Sequence, residues 1–280
     1  MNLVEVDPSG RERTSLLVGA GGEHIYAETT GAGSPVVLCH GLGGNHAVWW
    51  RQVEPFAEHH QLVTWDQRGF GNSTSATGRV GITEAASDLG AVLDRLGIRR
   101  CHLVGQSMGG FVALRFALAN PDRVRSLVLS TTLAAAPAAY TEKLRGAHPT
   151  RPLRDRHPVI SDKFCSDHPD LVILYNQISS FGAKPPVAAM LDAMAATTFT
   201  DAELAQLAPP VLFLAAEHDH FCPAEVMATA AGRLTTASVE VIPGSAHSAY
   251  YEVPALWNSR VLSFINTIDT RSSDPSEAEG

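Results

Sequence analysis

Ser107 is the residue of this 280-residue chain from which chemistry could start. It stands in Gly105-Gln-Ser-Met-Gly109, with a glycine two positions to either side. Leu103 and Val104 before it read as the end of a buried strand, and residues 111–119 after it as a helix, so the serine falls on a strand-to-helix turn. Glycines in such a turn leave out Cβ atoms that would collide where strand and helix approach, and they tolerate strained backbone angles. The hydroxyl would then lie beside a helix N-terminus, whose unpaired N–H groups favour negative charge developing on a substrate oxygen. Alone, G-x-S-x-G is a common pentapeptide; its strand–turn–helix context makes Ser107 a candidate nucleophile.

A serine hydroxyl is too weak an acid to attack a carbonyl unaided and requires a base, most often a histidine. Of the 12 histidines, His247 stands out, because Pro243-Gly-Ser-Ala-His247 forms a loop after the last expected strand, at the sheet edge that carries Ser107. A lone loop histidine would read as a surface residue; the serine turn changes that reading. The base needs an acid to fix its tautomer. Asp219, in Glu217-His-Asp-His-Phe-Cys-Pro223 after the strand expected at 211–215, is the first choice, and Glu217, two residues nearer the strand, is the rival. The other strand end where an acid could stand holds Ser130-Thr-Thr132 and offers none. The glycine-rich turn His40-Gly-Leu-Gly-Gly44 can bring the Leu42 N–H to the same place as the Met108 N–H, and two such amides make an oxyanion hole. His40 itself reads as a brace for that turn.

These residues need a sheet that gathers strand ends at one edge. Residues 35–39, 61–65, 101–104, 124–129 and 211–215 are short apolar runs, and helical spacing separates them at 47–58, 83–96 and 111–119, with Thr83 as a cap and Gly97 as a stop. Strand and helix in alternation imply parallel strands with helices on both faces. Residues 14–18 and 23–29 read as a leading hairpin, 224–234 and 254–268 as late helices, and 238–242 as the last strand. From 133 to 207 the alternation stops and prolines punctuate short helical pieces at 171–179 and 187–196. The division expected is therefore a core of 1–132 and 208–270, a helical insertion of 133–207, and a polar disordered tail of 271–280.

Composition narrows the function. The apolar fraction of 45% is ordinary for a globular chain, and the net charge of −8 with no basic, aromatic-flanked run argues against a nucleic-acid partner. Acids near the N-terminus and the lack of an ~18-residue apolar run argue against a signal peptide or a membrane span, so a cytoplasmic location is expected. Four scattered cysteines fit reduced thiols, with neither a disulfide nor a zinc framework.

With these positions assembled, the chain resembles the α/β-hydrolase superfamily from about residue 23 to 268. The resemblance rests on the H-G-x-G-G turn, Asp66-Gln-Arg-Gly-Phe-Gly-Asn-Ser73, Gly-Gln-Ser-Met-Gly-Gly110, Asp219 with Pro223, and Pro-Gly-Ser-Ala-His247. It is similar to the capped bacterial branch of carboxylesterases, enol-lactone hydrolases and C–C hydrolases of ring-cleavage products. The resemblance implies an α/β-hydrolase fold, a mostly parallel eight-stranded sheet with helices on both faces, an inserted helical cap, and no metal or organic cofactor. Ser107 separates the chain from dehalogenases and epoxide hydrolases, which carry aspartate there, and Gln106 stands where C–C hydrolases often carry asparagine.

Three functions remain in play. The first is hydrolysis of a carboxylic ester or lactone through an acyl-enzyme on Ser107; the second is C–C cleavage of a diketone-like ring-cleavage product; the third is a receptor-like binder with little turnover. The partner in each is a small molecule, with a second copy of the chain the one macromolecular partner left open. Candidate substrate contacts are Gly41 and Trp49 on the core, and Arg151, Tyr175, Phe181 and Met190 on the insertion. Arg151, Arg154, Arg156 and His157 form the densest cationic cluster, read first as a solvated loop and, more sharply, as the source of an arginine that pairs with a substrate carboxylate.

Overall fold

The computed structural model describes residues 2–6, 10–145 and 157–272. Its strands are β1 (Asn2–Val6), β2 (Glu12–Ala20), β3 (Glu23–Thr30), β4 (Ser34–Cys39), β5 (His60–Trp65), β6 (Cys101–Gln106), β7 (Val124–Ser130), β8 (Val211–Ala216) and β9 (Ala237–Ile242). They form one sheet in the order β1-β2-β3-β5-β4-β6-β7-β8-β9. β1, β2, β3 and β5 are joined by antiparallel pairs, and β5 through β9 by parallel ones. Among the described residues the sheet thus has nine strands where eight were expected. The extra one is β1, whose Leu3, Val4 and Val6 are all exposed and so lack the alternation that marks a half-buried strand.

The helices are α1 (Trp50–Ala57), α2 (Ile82–Arg95), α3 (Met108–Ala119), α4 (Ala138–Thr141), α5 (Asp162–Asp167), α6 (Pro169–Ser180), α7 (Val187–Ala196), α8 (Asp201–Leu204), α9 (Ala224–Ala231), α10 (Ala249–Glu252) and α11 (Pro254–Ser272). No helix among the described residues is long and apolar enough to cross a membrane. α2 starts from Gly81 in extended conformation with no side-chain cap, so Thr83 lies inside the first turn and does not cap it. Gly97 takes φ +68° where the helix ends, the left-handed conformation that glycine adopts without a Cβ penalty. α11 runs four residues past 268 to Ser272, so the start of the expected tail is helical, and 273–280 lie outside the described residues.

Period-two alternation explains how the parallel strands take helices on both faces. Val37, Cys39, Val63, Leu103, Leu127, Leu129 and Phe213 belong to one apolar cluster with Leu89, Phe111, Val112 and Met227 of α2, α3 and α9. Their neighbours Val36, Leu38, Leu62, Val104, Val128, Leu212 and Leu214 belong to the other, with Phe56, Trp257, Val261 and Ile265 of α1 and α11. A strand buried on both faces reads as a continuous apolar run, which is what these sequences are.

The described residues between β7 and β8, 131–145 and 157–210, add no strand to the sheet and carry α4 to α8. Main-chain groups seat this segment. Gly71 and Ala183 exchange two backbone hydrogen bonds of 3.0 Å, and Ser248 N–H donates to the Val159 carbonyl at 2.9 Å. Asn45 Nδ2 donates to the Ile178 carbonyl at 2.8 Å and the Tyr251 hydroxyl to the Leu171 carbonyl at 2.7 Å.

Candidate active site

Ser107 is the first residue after β6, with φ +51° and ψ −117°, backbone angles that an L-residue with a side chain rarely adopts. Three backbone contacts hold it there. Its N–H donates to the Ser130 carbonyl at 3.0 Å, and its own carbonyl accepts from Gly110 N–H at 3.0 Å and from Thr132 Oγ1 at 2.7 Å. The flanking glycines are required by space: a Cβ on Gly105 would lie 2.6 Å from Gly110 Cα, and one on Gly109 would lie 2.7 Å from the His40 carbonyl oxygen.

His247 arrives on the loop after β9. Its Nε2 accepts from Ser107 Oγ at 2.9 Å, and its Nδ1–H donates to Asp219 Oδ2 at 2.8 Å. The other Asp219 oxygen, Oδ1, accepts from the Phe221 and Cys222 amides at 2.8 and 3.0 Å. Burial on its own would raise the Asp219 carboxyl; His247 and the two amides outweigh it and hold the group below the usual carboxylate range. Glu217, the rival acid, is half exposed and accepts from Gly244 N–H at 2.8 Å, away from the imidazole.

The His40–Gly44 turn lies against the serine. A Cβ on Gly41 would come within 3.2 Å of Ser107 Cβ, and Gly44 N–H closes the turn onto the Gly41 carbonyl at 3.1 Å. His40 braces it as a neutral ring, with Nδ1 bonded to the Gly41 carbonyl at 2.9 Å and Nε2 accepting from Gln67 N–H at 3.0 Å. Burial pushes its pKa down to about 4, so it stays uncharged at neutral pH. Met108 is the first residue of α3, where an amide has no partner within its own helix, so it and Leu42 are the candidate oxyanion donors.

Several residues hold the backbone around His247 with little local sequence pattern to mark them. Gln106 Nε2 donates to the His247 carbonyl and to Thr131 Oγ1, both at 3.1 Å, and Thr131 Oγ1 donates to the same carbonyl at 2.9 Å. Ser130-Thr-Thr132 offers no acid, yet two of its hydroxyls fix the backbone of Ser107 and His247, and hydroxyls at a strand end are the one sequence signal for that role. Glu252, buried in α10, accepts from Ala246 N–H and Ser161 N–H, both at 3.1 Å, and so ties the His247 loop to the insertion. Burial keeps its carboxyl above the usual range. Phe221 lies edge-on to His247 with ring centroids 5.3 Å apart and is 45% exposed.

The expected substrate contacts divide. Gly41 lies against Ser107, and the Tyr175 hydroxyl is 3.0 Å from Ser248 Oγ, one residue past His247. Trp49 is fully enclosed, 4.6 Å from Tyr250 and 5.9 Å from Trp257 between ring centroids, so it is a core residue and no substrate contact. Met190 is buried in the apolar cluster that contains Met108 and Phe111. Phe181 lies open to solvent at 54% exposure. Arg151, Arg154 and Arg156 lie outside the described residues; His157, the last of that cluster, bonds Asn176 Oδ1 at 3.1 Å.

A family model of the alpha/beta hydrolase fold matches residues 34–167, and a relative 30% identical spans most of the chain, so the chain belongs to the α/β-hydrolase superfamily. That relative is a Variovorax paradoxus protein named carbamate hydrolase RutD, matched over 255 residues, 86% of this chain and 95% of the relative. A second, the 2-hydroxy-6-oxo-2,4-heptadienoate hydrolase of Pseudomonas putida, is 40% identical over 117 residues, 40% of this chain and 42% of that protein. Among solved structures, an esterase of Thermogutta terrifontis matches with a TM-score of 0.79 at 26% identity, covering 91% of this chain and 98% of the esterase. The named relatives are hydrolases.

Proposed function

We propose that the chain hydrolyses a carboxylic ester or lactone through an acyl-enzyme on Ser107. The observation that carries this reading is the Ser107–His247–Asp219 hydrogen-bond chain, 2.9 and 2.8 Å long, mounted on a turn that presents the serine beside a helix N-terminus. Ser107 Oγ attacks the carbonyl carbon while His247 Nε2 takes its proton, and Asp219 stabilises the imidazolium from the Nδ1 side. The Leu42 and Met108 amides receive the oxyanion. Collapse of the tetrahedral adduct expels the alcohol, which takes the proton from Nε2, and a water repeats the sequence to release the acid.

Residues 133–207 act as a cap that excludes water and shapes the pocket, with Tyr175 and Ser248 offering hydroxyls beside the base. Two further bonds are within reach of the same groups. The relatives' names favour a carbamate or a C–C bond next to a carbonyl, where the leaving group is an amine or an enolate. A panel of acyl esters, lactones, carbamates and ring-cleavage diketones, assayed with wild type and Ser107→Ala, ranks the three. A fluorophosphonate probe is expected to label Ser107; folded protein that resists the probe and turns over nothing in the panel would replace the enzyme with a receptor-like binder.

A further inference from the structure

The Cys222 thiol takes no part in the acyl-enzyme steps, yet it is buried beside the residues that carry them out. It follows Asp219 by three residues, and one donor atom each from Asp219, Cys222 and His247 lies within 4.8 Å of the other two. All three side chains are buried. Thiol, imidazole and carboxylate are the donor set that zinc and similar borderline-soft cations prefer. Zinc bonds of about 2.0–2.3 Å in a tetrahedron set donors about 3.3–3.8 Å apart. His247 Nδ1 and Asp219 Oδ2, now 2.8 Å apart around a proton, would have to part by about half an ångström when a metal ion replaces that proton. Asp219 keeps its place during the exchange, because Oδ1 is held by two backbone amides and Oδ2 alone is asked to ligate.

We propose that Asp219, Cys222 and His247 form an inhibitory site for a zinc-class divalent cation. The ion bonds Cys222 Sγ, and the thiol proton goes to solvent. It also bonds His247 Nδ1, and the proton of that nitrogen is displaced to Nε2, so the ring remains neutral in the opposite tautomer. Nε2 then carries a hydrogen where it must accept one from Ser107, and the base is switched off while Ser107 and the Leu42 and Met108 amides remain in place. The ion leaves pocket contacts alone, so kcat falls and KM stays. Phe221, edge-on to His247 and half exposed, is the outer cover of the site. The inhibitory consequence rests on the hydrolase reading above; the binding does not.

The test uses the full chain in a non-coordinating buffer with zinc ions as the probe. Binding is measured by competition with a chromophoric chelator, on wild type and on Ser107→Ala, and inhibition by ester turnover with and without added zinc. One ion per chain is expected on both proteins, with wild-type turnover lost on zinc addition and restored by EDTA. Cys222→Ala keeps the backbone amides on Asp219 and, measured against its own zinc-free rate, should bind zinc more weakly by roughly tenfold or more and resist inhibition to the same degree. His218 and His220 are exposed beside the cluster and are the rival ligands. Retained sensitivity in Cys222→Ala, or its loss in the His218→Ala, His220→Ala double variant, would overturn the assignment. So would wild type and Ser107→Ala that both fail to take up zinc. Zinc uptake that depends on Cys222 without any effect on turnover would keep the site and reject the tautomer switch.

Discussion

At the carboxyl end of the sheet Ser107, His247 and Asp219 form one chain of hydrogen bonds; at the amino end Ser126, His102 and Asp269 form another. Ser126 Oγ lies 2.7 Å from His102 Nδ1, and His102 Nε2 lies 2.9 Å from Asp269 Oδ1. The residue types and bond lengths match those of the proposed site, and the surroundings do not. Ser126 and His102 stand opposite each other in the β6–β7 register, both fully enclosed, and no turn lifts the hydroxyl outward. The ring is also reversed, with Nδ1 toward the serine and Nε2 toward the acid. Three residue types within hydrogen-bond reach therefore do not make a nucleophile. The difference is made by main chain: a turn with φ +51° at Ser107, and glycines at 105 and 109 that admit the neighbouring backbone.

Matched substitutions at the two ends of the sheet separate the two hydrogen-bond chains. Ser107→Ala should fold like wild type and lose roughly 10⁴-fold or more in kcat, whereas Ser126→Ala should keep its rate and lose about 1 kcal/mol of stability. Initial rates and denaturant melts decide, and an inactive but folded Ser126→Ala would erase the distinction. Asp219→Asn leaves the wrong tautomer and should cost roughly 10⁴ in kcat, with Glu217→Gln close to wild type. The reverse ranking would hand the acid role to Glu217.

Acid should act on the enclosed imidazoles in a stated direction. Burial lowers His40 and His102 to about 4, so both stay neutral in the folded chain while the unfolded chain takes up protons below about 6.5. Stability present at pH 7 is then lost as pH falls from about 6.5 toward 4, by about 3 kcal/mol for each ring, and levels off below that. Denaturant melts across this range check the slope, and His102→Gln should remove about half of it. Smallest is Thr131→Val, which deletes one bond to the His247 carbonyl and one from Gln106; a roughly tenfold fall in kcat with KM held is expected from a buried bond of about 1–1.5 kcal/mol. An unchanged rate would mean that the Gln106 bond suffices to hold the His247 carbonyl.

What the sequence made legible follows the same division between main chain and long-range contact. The runs at 35–39, 124–129 and 211–215 announce themselves because strands covered on both faces must be continuously apolar, and the Ser107 turn announces itself by glycines that sterics demand. α7 was readable to the residue at Val187–Ala196. Trp49 was not, since its enclosure depends on Tyr250 and Trp257, some two hundred residues away. β1 is silent in the sequence for the opposite reason: it is held by backbone pairing to β2 with its side chains in solvent, so its pattern carries no burial signal. Thr131 and Gln106 act on a carbonyl that arrives from residue 247, and no local spacing encodes that meeting.

The segment from 131 to 210 is seated by its own main chain: Val159, Leu171, Ile178 and Ala183 all offer carbonyls to the rest of the molecule. Any amino acid carries that carbonyl. Exposed positions of this segment such as Ile173, Phe181 and Val187 can therefore change without unseating it, whereas Phe164, Met190, Met194 and Phe199 are buried in the apolar clusters of the sheet and are held to apolar types. The carbonyl contacts fix where the segment lies and leave its exposed side chains free to vary.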